Sequence, residues 1–509
     1  MQLDLKKLPF GQYMSRHLLF EEADPLNRGW DKGLYLALAA GSNSMFGGFA
    51  MRSAGFIRLT PLVGGKEAAG TAEADPAEAV IRCEGGAIRM AIDGPAILLK
   101  GEGAGLKLLV KLGRGETVTR TKRGYELVMG ATRYIIALKK GKADLQVGWD
   151  LEGLSSTDPV ITLEPEDGVM EAVFWDTDAA YDMPEVAADV DAAAAKARAA
   201  FEAFRATLRG KDELSAYVLW LGFMACRGGK LVIANKIGNI QANAMDQALA
   251  ALAFKDSGAA LELISDTLRL MTPGGMVPAW VKGESTLPEA PPPLWGLALC
   301  RAFASSGVDG IAPEKLAEGY ALLVKAVNWW IRNRSLADGS FFYAYAHESG
   351  WDAAPVLPFG QGAVTPDLAA WMALNAGALE AMARKLGLTA EAENWAALAQ
   401  KQLAVLASLR KDGRFVCRSA LTGDEVPCPV GIGLLPLLLG DAAPDAAALR
   451  ARAEKTERLP QEQTGLIALE CPALARKLIA AGAAQPGTMS GAAYRPVLSA
   501  LLLALEERS

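Results

Sequence analysis

The segment Ala346-His347-Glu348-Ser349-Gly350-Trp351-Asp352 sets two carboxylates, an imidazole and an indole around a glycine. Two carboxyl groups can open a glycosidic bond, one protonating the leaving oxygen while the other activates water or attacks the sugar carbon. An indole beside them offers a flat apolar surface on which the C–H face of a sugar ring can rest. The lead-in, Asp338-Gly339-Ser340-Phe341-Phe342-Tyr343-Ala344-Tyr345, reads as a turn followed by an aromatic extended stretch. The plainer alternative is a helix-capping turn in which Glu348 or Asp352 accepts free backbone N–H groups. Capping needs one carboxylate only and explains neither the indole nor the aromatic lead-in.

Two further segments carry polar or aromatic groups of the right kind. Asn235 to Gln247 is rich in amides and ends in Asp246 where an amphipathic helix begins. An Asp there is favoured by the helix dipole, and Asn, Gln and Asp side chains also bind hydroxyls. Pro291-Pro292-Pro293-Leu294-Trp295-Gly296 leads an extended stretch into a helix with Trp295 in its first turn. Trp295 reads equally as core or as a stacking platform, with Trp280 on the same loop as a second candidate.

These residues sit in a chain of ordinary globular composition. Its 509 residues are 51% apolar, enough for more than one core, and its net charge is −6. That charge argues against nucleic acid as a partner, since the basic clusters Arg120-Thr121-Lys122-Arg123 and Lys139-Lys140-Gly141-Lys142 read as solvated turns. No apolar run reaches membrane-spanning length, and the start, Met1-Gln2-Leu3-Asp4-Leu5-Lys6-Lys7, lacks the plan of a secretory signal. A cytoplasmic protein with no membrane partner is the expectation. Six cysteines without Cys-x-x-Cys spacing read as free thiols, and two histidines exclude a multi-histidine zinc site. No cofactor is implied, a metal is not required, and the oligomeric state is not encoded legibly.

The first third is patterned for strands. Phe56–Thr60, Ala79–Cys83, Leu106–Val110, Arg133–Ala137 and Val169–Val173 are short, β-branched or alternating, and parted by glycine-rich turns, which indicates a β-sandwich. Composition changes at Asp191-Ala192-Ala193-Ala194-Ala195-Lys196, a strong helix former. We therefore expect a β-sandwich over 1–187, a linker helix over 188–211 and a helical domain over 212–509. Helices are expected at Leu214–Cys226, Met245–Asp256, Gly258–Met271, Trp295–Ser305, Pro313–Asn333, Pro366–Leu386 and Ala390–Leu409. Similar helices joined by uneven loops suggest hairpins in a toroid, because an α-solenoid would show a fixed repeat and none is visible. Function would gather on four loops: Asn235–Gln247, Pro273–Trp295, Ser340–Pro355 and Gly487–Pro496.

At this point a family resemblance enters. Glu348-Ser349-Gly350-Trp351-Asp352 resembles the Glu-Ser-Gly-(Trp or Met)-Asp signature of glycoside hydrolase family 63 and its mannosylglycerate-hydrolase-like relatives. Ala234-Asn235-Lys236 with Met245-Asp246-Gln247, Pro292-Pro293-Leu294-Trp295-Gly296, and Pro366-Asp367-Leu368-Ala369-Ala370 resemble three more family segments in the same order. The resemblance covers roughly residues 212–470. It implies a multidomain β + α fold, an N-terminal β-sandwich followed by an (α/α)6 barrel, and inverting hydrolysis of an α-glucoside or α-mannoside. It makes Asp352 the general acid, with a pKa raised by burial, and gives Glu348, Trp351, Asp246, Gln247 and Trp295 to the carbohydrate. His347, Tyr345, Tyr494 and Arg495 complete the expected substrate-binding set.

The match departs from the family where the general base should be. The family places that glutamate after a Tyr-Trp-Arg-Gly-Pro-(Val/Ile)-Trp segment, and this chain offers Ala493-Tyr494-Arg495-Pro496-Val497, with a last hairpin expected to be shortened. Glu470 is the expected base, with Glu462 as the other candidate. Met245 also stands where relatives carry Trp, and Ala353-Ala354-Pro355 follows Asp352 where they carry polar residues. Two rival readings use the same scaffold. One is a catalytically silent carbohydrate-binding protein. The other is a toroid lyase or epimerase using Tyr345 and His347 as proton-transfer groups.

Overall fold

Strict alternation builds the first part of the chain. In Val160–Glu164 every second side chain is buried, as a half-buried strand requires. The computed structural model describes residues 1–22, 32–39, 56–112, 116–129, 132–150, 155–156, 158–177, 180, 182–225, 231–234, 241–282, 285–350, 362–456, 459, 461–481 and 496–506. Among these, two compact units are found: Met1–Ala206 with Trp220–Gln241, and Thr207–Leu219 with Ala242–Ala483 and Pro496–Ser509.

The first unit holds two antiparallel sheets. One runs, in spatial order, Phe10–Gly11, His17–Glu22, Gly33–Leu38, Phe56–Val63, Gly105–Lys111, Val160–Glu164 and Lys142–Gln146. The other runs Thr117–Thr121, Gly124–Met129, Thr132–Lys140, Val169–Asp176, Ala96–Glu102, Gly86–Asp93, Glu78–Cys83 and Gly70–Ala74. All five expected strands fall inside these elements. Helix α1 (Val190–Thr207) lays Val190, Ala193 and Ala194 on Ala91, Leu98, Ile135, Val173 and Trp175 of the second sheet. The expected linker segment is thus largely a helix packed on the sandwich. The expected helix Leu214–Cys226 is shorter than its pattern: α2 (Glu213–Gly222) ends at Gly222, and Phe223–Ala225 pairs with Leu231–Ile233 as a strand.

The second unit is helical: α3 (Ala244–Ala251), α4 (Ser257–Leu268), α5 (Trp295–Ser306), α6 (Pro313–Asn333), α7 (Pro366–Lys385), α8 (Thr389–Ser408), α9 (Val430–Leu434), α10 (Ala446–Glu454), α11 (Gln461–Ala468), α12 (Pro472–Ala481) and α13 (Pro496–Glu506). A 3₁₀ segment, Leu435–Ala442, continues α9. Burial separates inner from outer helices. α7 buries nearly its whole first half, as a helix apolar on every side must, whereas its hairpin partner α8 buries only Ala392, Gln402 and Leu406. α3, α5, α7, α9 with its extension, α11 and α13 each pack on the next, and α13 packs back on α3. That is the closed inner ring of an (α/α)6 barrel. No helix among the described residues is long and apolar enough to cross a membrane.

The inner helices run in one direction. The C-terminal ends of α3 and α5 are tied together by Arg209, which donates Nε to Leu252 O and Nη2 to Arg301 O, both at 3.1 Å. Gly296 near the start of α5 meets Asn375 in α7 so closely that a β-carbon there would lie 2.3 Å from the Asn375 nitrogen. The four functional loops expected from sequence therefore precede α3, α5, α7 and α13 and lie at the N-terminal end of the ring.

Candidate active site

Asn375 fixes the start of α5. Its Oδ1 accepts from Gly296 N at 3.0 Å, and its Nδ2 donates to Pro293 O at 2.6 Å and Trp371 O at 2.8 Å. The three prolines before Leu294 cannot form these contacts through N–H groups, so a buried amide from the next inner helix supplies them. Trp295, the first residue of α5, is 1% exposed and its indole N–H has no partner among the described residues. It is packed as core. Trp280 is only partly buried and pairs in register with Asn243, one turn before Asp246.

At the start of α3, Asn243 Nδ2 donates to Asp246 Oδ2 at 3.1 Å, and Gln247 Nε2 donates to Asn243 O at 3.3 Å. Asp246 and Gln247 are both buried. They are held in place before any ligand arrives.

Glu348 lies in a 3₁₀ turn, Ala346–Ser349, that ends at Gly350 in the left-handed region, φ 73°. Its carboxylate is 0% exposed and takes Arg334 Nε at 3.1 Å on each oxygen, Arg334 Nη2 at 2.6 Å and the Ala344 N–H at 2.5 Å. Arg334 in turn lies over Trp329, 5.0 Å from the ring centroid. A β-carbon on Gly350 would be 2.8 Å from Met245 Sδ and 2.9 Å from Pro292 Cγ. The turn is thereby seated against the segments before α3 and α5. Three stretches that resemble the family in sequence meet at this glycine.

A second fastening lies at the base of the same loop. Tyr343 and Ala363 exchange backbone hydrogen bonds at 3.0 and 2.9 Å, and the Tyr343 hydroxyl donates to Asp367 Oδ2 at 3.2 Å. Burial pushes the Asp367 carboxyl up to about 6, against the downward pull of Thr365, the Leu368 N–H and Tyr343. Burial and the charge of Asp367 raise the Tyr343 phenol well above its ordinary range. Tyr345 is raised too, by burial and then by Glu289 and Glu348. His347 is exposed, with Nδ1 3.7 Å from Glu289 Oε1. Trp351 and Asp352, and with them Tyr494 and Arg495, lie outside the described residues.

The two glutamates considered for the base are at different places in the ring. Glu462 is in the first turn of α11, beside buried Gln463, whose amide packs against Gly431 near the start of α9. Glu470 follows the C-terminal end of α11, ion-paired with Arg301 and 3.9 Å from Arg450 Nη2. Arg301 is six residues into α5, about 9 Å along its axis from Trp295. Sequence reasoning passed over Arg334, Asn375 and the Tyr343–Asp367 pair. An arginine placed directly after a helix and before the Asp338-Gly339 turn was the available signal for the first.

Residues 239–465 match the profile of the mannosylglycerate hydrolase MGH1-like glycoside hydrolase domain. The chain carries a glycosidase domain. The resemblance read from the sequence is borne out over this stretch, and the described fold agrees with it. A family GH92 inverting mannosidase from Bacteroides thetaiotaomicron is similar in structure, with TM-score 0.52 at 11% identity over 98% of this chain and 82% of that one. A bacterial glucoamylase complexed with acarbose gives TM-score 0.51 at 11% identity, over 98% of this chain and 94% of that one. A GH63 mannosylglycerate hydrolase from Thermus thermophilus, in complex with Tris and D-glycerate, gives 0.44 at 16% identity over 56% and 97%. The first two likenesses establish a β-sandwich followed by a six-hairpin barrel. No curated protein sequence matches the chain.

Proposed function

We propose that this glycosidase domain hydrolyses an α-linked glucoside or mannoside with inversion, with Asp352 as general acid. The observation that carries the reading is the seating of Gly350 on Met245 and Pro292, two residues before the acid, at the N-terminal end of the inner ring. Asp246 and Gln247 supply hydroxyl-binding groups on one wall, and partly buried Trp280 supplies an aromatic face. Glu348 acts by holding the loop, since Arg334 and the Ala344 N–H already engage both its oxygens.

For the base, we favour Glu462 over Glu470. Inversion needs two carboxyls about 6.5–9.5 Å apart with water between them. The first turn of α11 belongs to the same end of the ring as Asp246 and Glu348, whereas Glu470 closes an ion pair at the other end.

The test is a screen of α-glucosides and α-mannosides with the anomer of the first-formed product followed by NMR. Asp352→Asn and Glu462→Gln should each lower kcat by about 10²-fold or more, and Glu470→Gln should leave it within a few-fold. A wild-type rate in Asp352→Asn removes the acid role. Loss in Glu470→Gln with retention in Glu462→Gln reverses the base.

A further inference from the structure

We propose that the ring holds a second ligand pocket at the C-terminal end of its inner helices, shaped for a neutral polyhydroxylated molecule. A cavity of about 500 Å³ opens there, lined by the later parts of the inner helices: Leu252 after α3, Arg301 and Ser305 of α5, Gly440 after α9, Glu470 after α11 and Ala504 of α13, with Arg209 alongside. That volume lies in the range of small-molecule sites. None of the residues that seat the signature turn contributes to it.

The lining is divided between two chemistries. Leu252, Leu297, Leu374, Leu438 and Leu469 give an apolar wall suited to C–H surfaces, and Arg209, Arg301, Ser305 and Glu470 give donors and acceptors. Cys300 adds a thiol kept neutral, its pKa pushed up to about 12 by burial. The Arg301–Glu470 pair is central. A guanidinium beside a carboxylate donates to one hydroxyl and accepts from its neighbour, so a vicinal diol satisfies both at once.

Charge around the cavity is balanced, which favours a neutral ligand. Arg301 faces Glu470, Arg450 lies between Asp441 and Glu470, and Arg209 answers the carbonyls that end α3 and α5. An ion pair this enclosed, with side chains 19% and 10% exposed, contributes little to stability compared with an apolar substitute. Binding gives it a use that stability does not.

Saturation-transfer NMR with D-sorbitol, an acyclic polyol, tests the pocket. The wild type and Asp352→Asn should show the same signal, rising to a plateau, whereas Leu438→Trp, which fills the cavity, should abolish it. Arg301→Met, which keeps the bulk and removes the diol partner, should weaken binding about tenfold. Thermal unfolding and circular dichroism verify that each variant is folded, and one folded variant is sufficient to decide. A wild type without a plateau up to about 100 mM sorbitol, or binding unchanged in a folded variant, overturns the proposal. Either result leaves the hydrolytic reading standing, because no residue of this pocket takes part in it.

Discussion

Arg334 encloses the carboxylate of Glu348 from the side, reaching both oxygens through Nε at 3.1 Å and Oε1 again through Nη2 at 2.6 Å, while the Ala344 N–H takes the remaining position. Removing one partner leaves a fully buried charge without its counterpart. Arg334→Met should therefore destabilise the protein by about 3 kcal/mol, read as a fall in the denaturation midpoint. Glu348→Gln should cost less, because the amide oxygen still accepts one of the bonds. Equal stability of Arg334→Met and wild type would show that the pair is not holding the turn.

Gly350 is constrained twice, by a φ of 73° and by Met245 and Pro292 at the position of a β-carbon. Gly350→Ala should lower kcat at least tenfold by displacing the turn, with little change in overall fold by circular dichroism. Adding Met245→Ala relieves one of the two contacts and should restore part of the loss.

The Asp367 carboxyl is raised to about 6 from an ordinary 3.8, so the folded state holds its proton more tightly than the unfolded chain does. Its effect on stability is absent below pH 4, where both states are protonated. As pH rises from 4 to 6 the unfolded state is favoured, and above 6 a cost of about 3 kcal/mol remains. Asp367→Asn should gain stability over wild type at pH 7 and lose that advantage near pH 4. Chemical denaturation at the two pH values checks the sign.

His17 behaves in the opposite sense. It is fully buried in the first sheet with Ser15 Oγ 3.1 Å from Nδ1, and burial followed by the charge of Arg16 lowers its pKa to about 3. The unfolded chain takes up a proton below about pH 6.5 and the folded one does not. Stability should fall by about 1.4 kcal/mol per pH unit between 6.5 and 3, and His17→Phe should flatten that slope.

Asn375→Ala removes three hydrogen bonds at once and leaves Gly296 N, Pro293 O and Trp371 O to find other partners. A loss of about 2–3 kcal/mol is expected, with reduced protection of the α5 amides in hydrogen exchange.

The sequence disclosed most of the scaffold because its signals are periodic. Alternation placed all five expected strands, and the helical pattern placed Pro313–Asn333 to the residue. It misread Phe223–Ala225, where a continuous apolar run carries no period and strand pairing prevails. The site was less legible. Glu348 shares the residue type of a substrate-binding carboxylate, and its role depends on an arginine fourteen positions earlier that no spacing rule connects to it. Glu470 and Glu462 are eight residues apart on one inner helix and its end. A linear pattern does not say which end of the ring each one reaches.

The closure of the inner helices has a consequence for how the second unit comes apart. An open stack of hairpins has end repeats that can fray while the middle stays intact. Here α13 rests on α3, so every inner helix has a neighbour on both sides and no hairpin is terminal. The helical unit should melt as a single cooperative block, and a cut in any one hairpin should be felt all the way around.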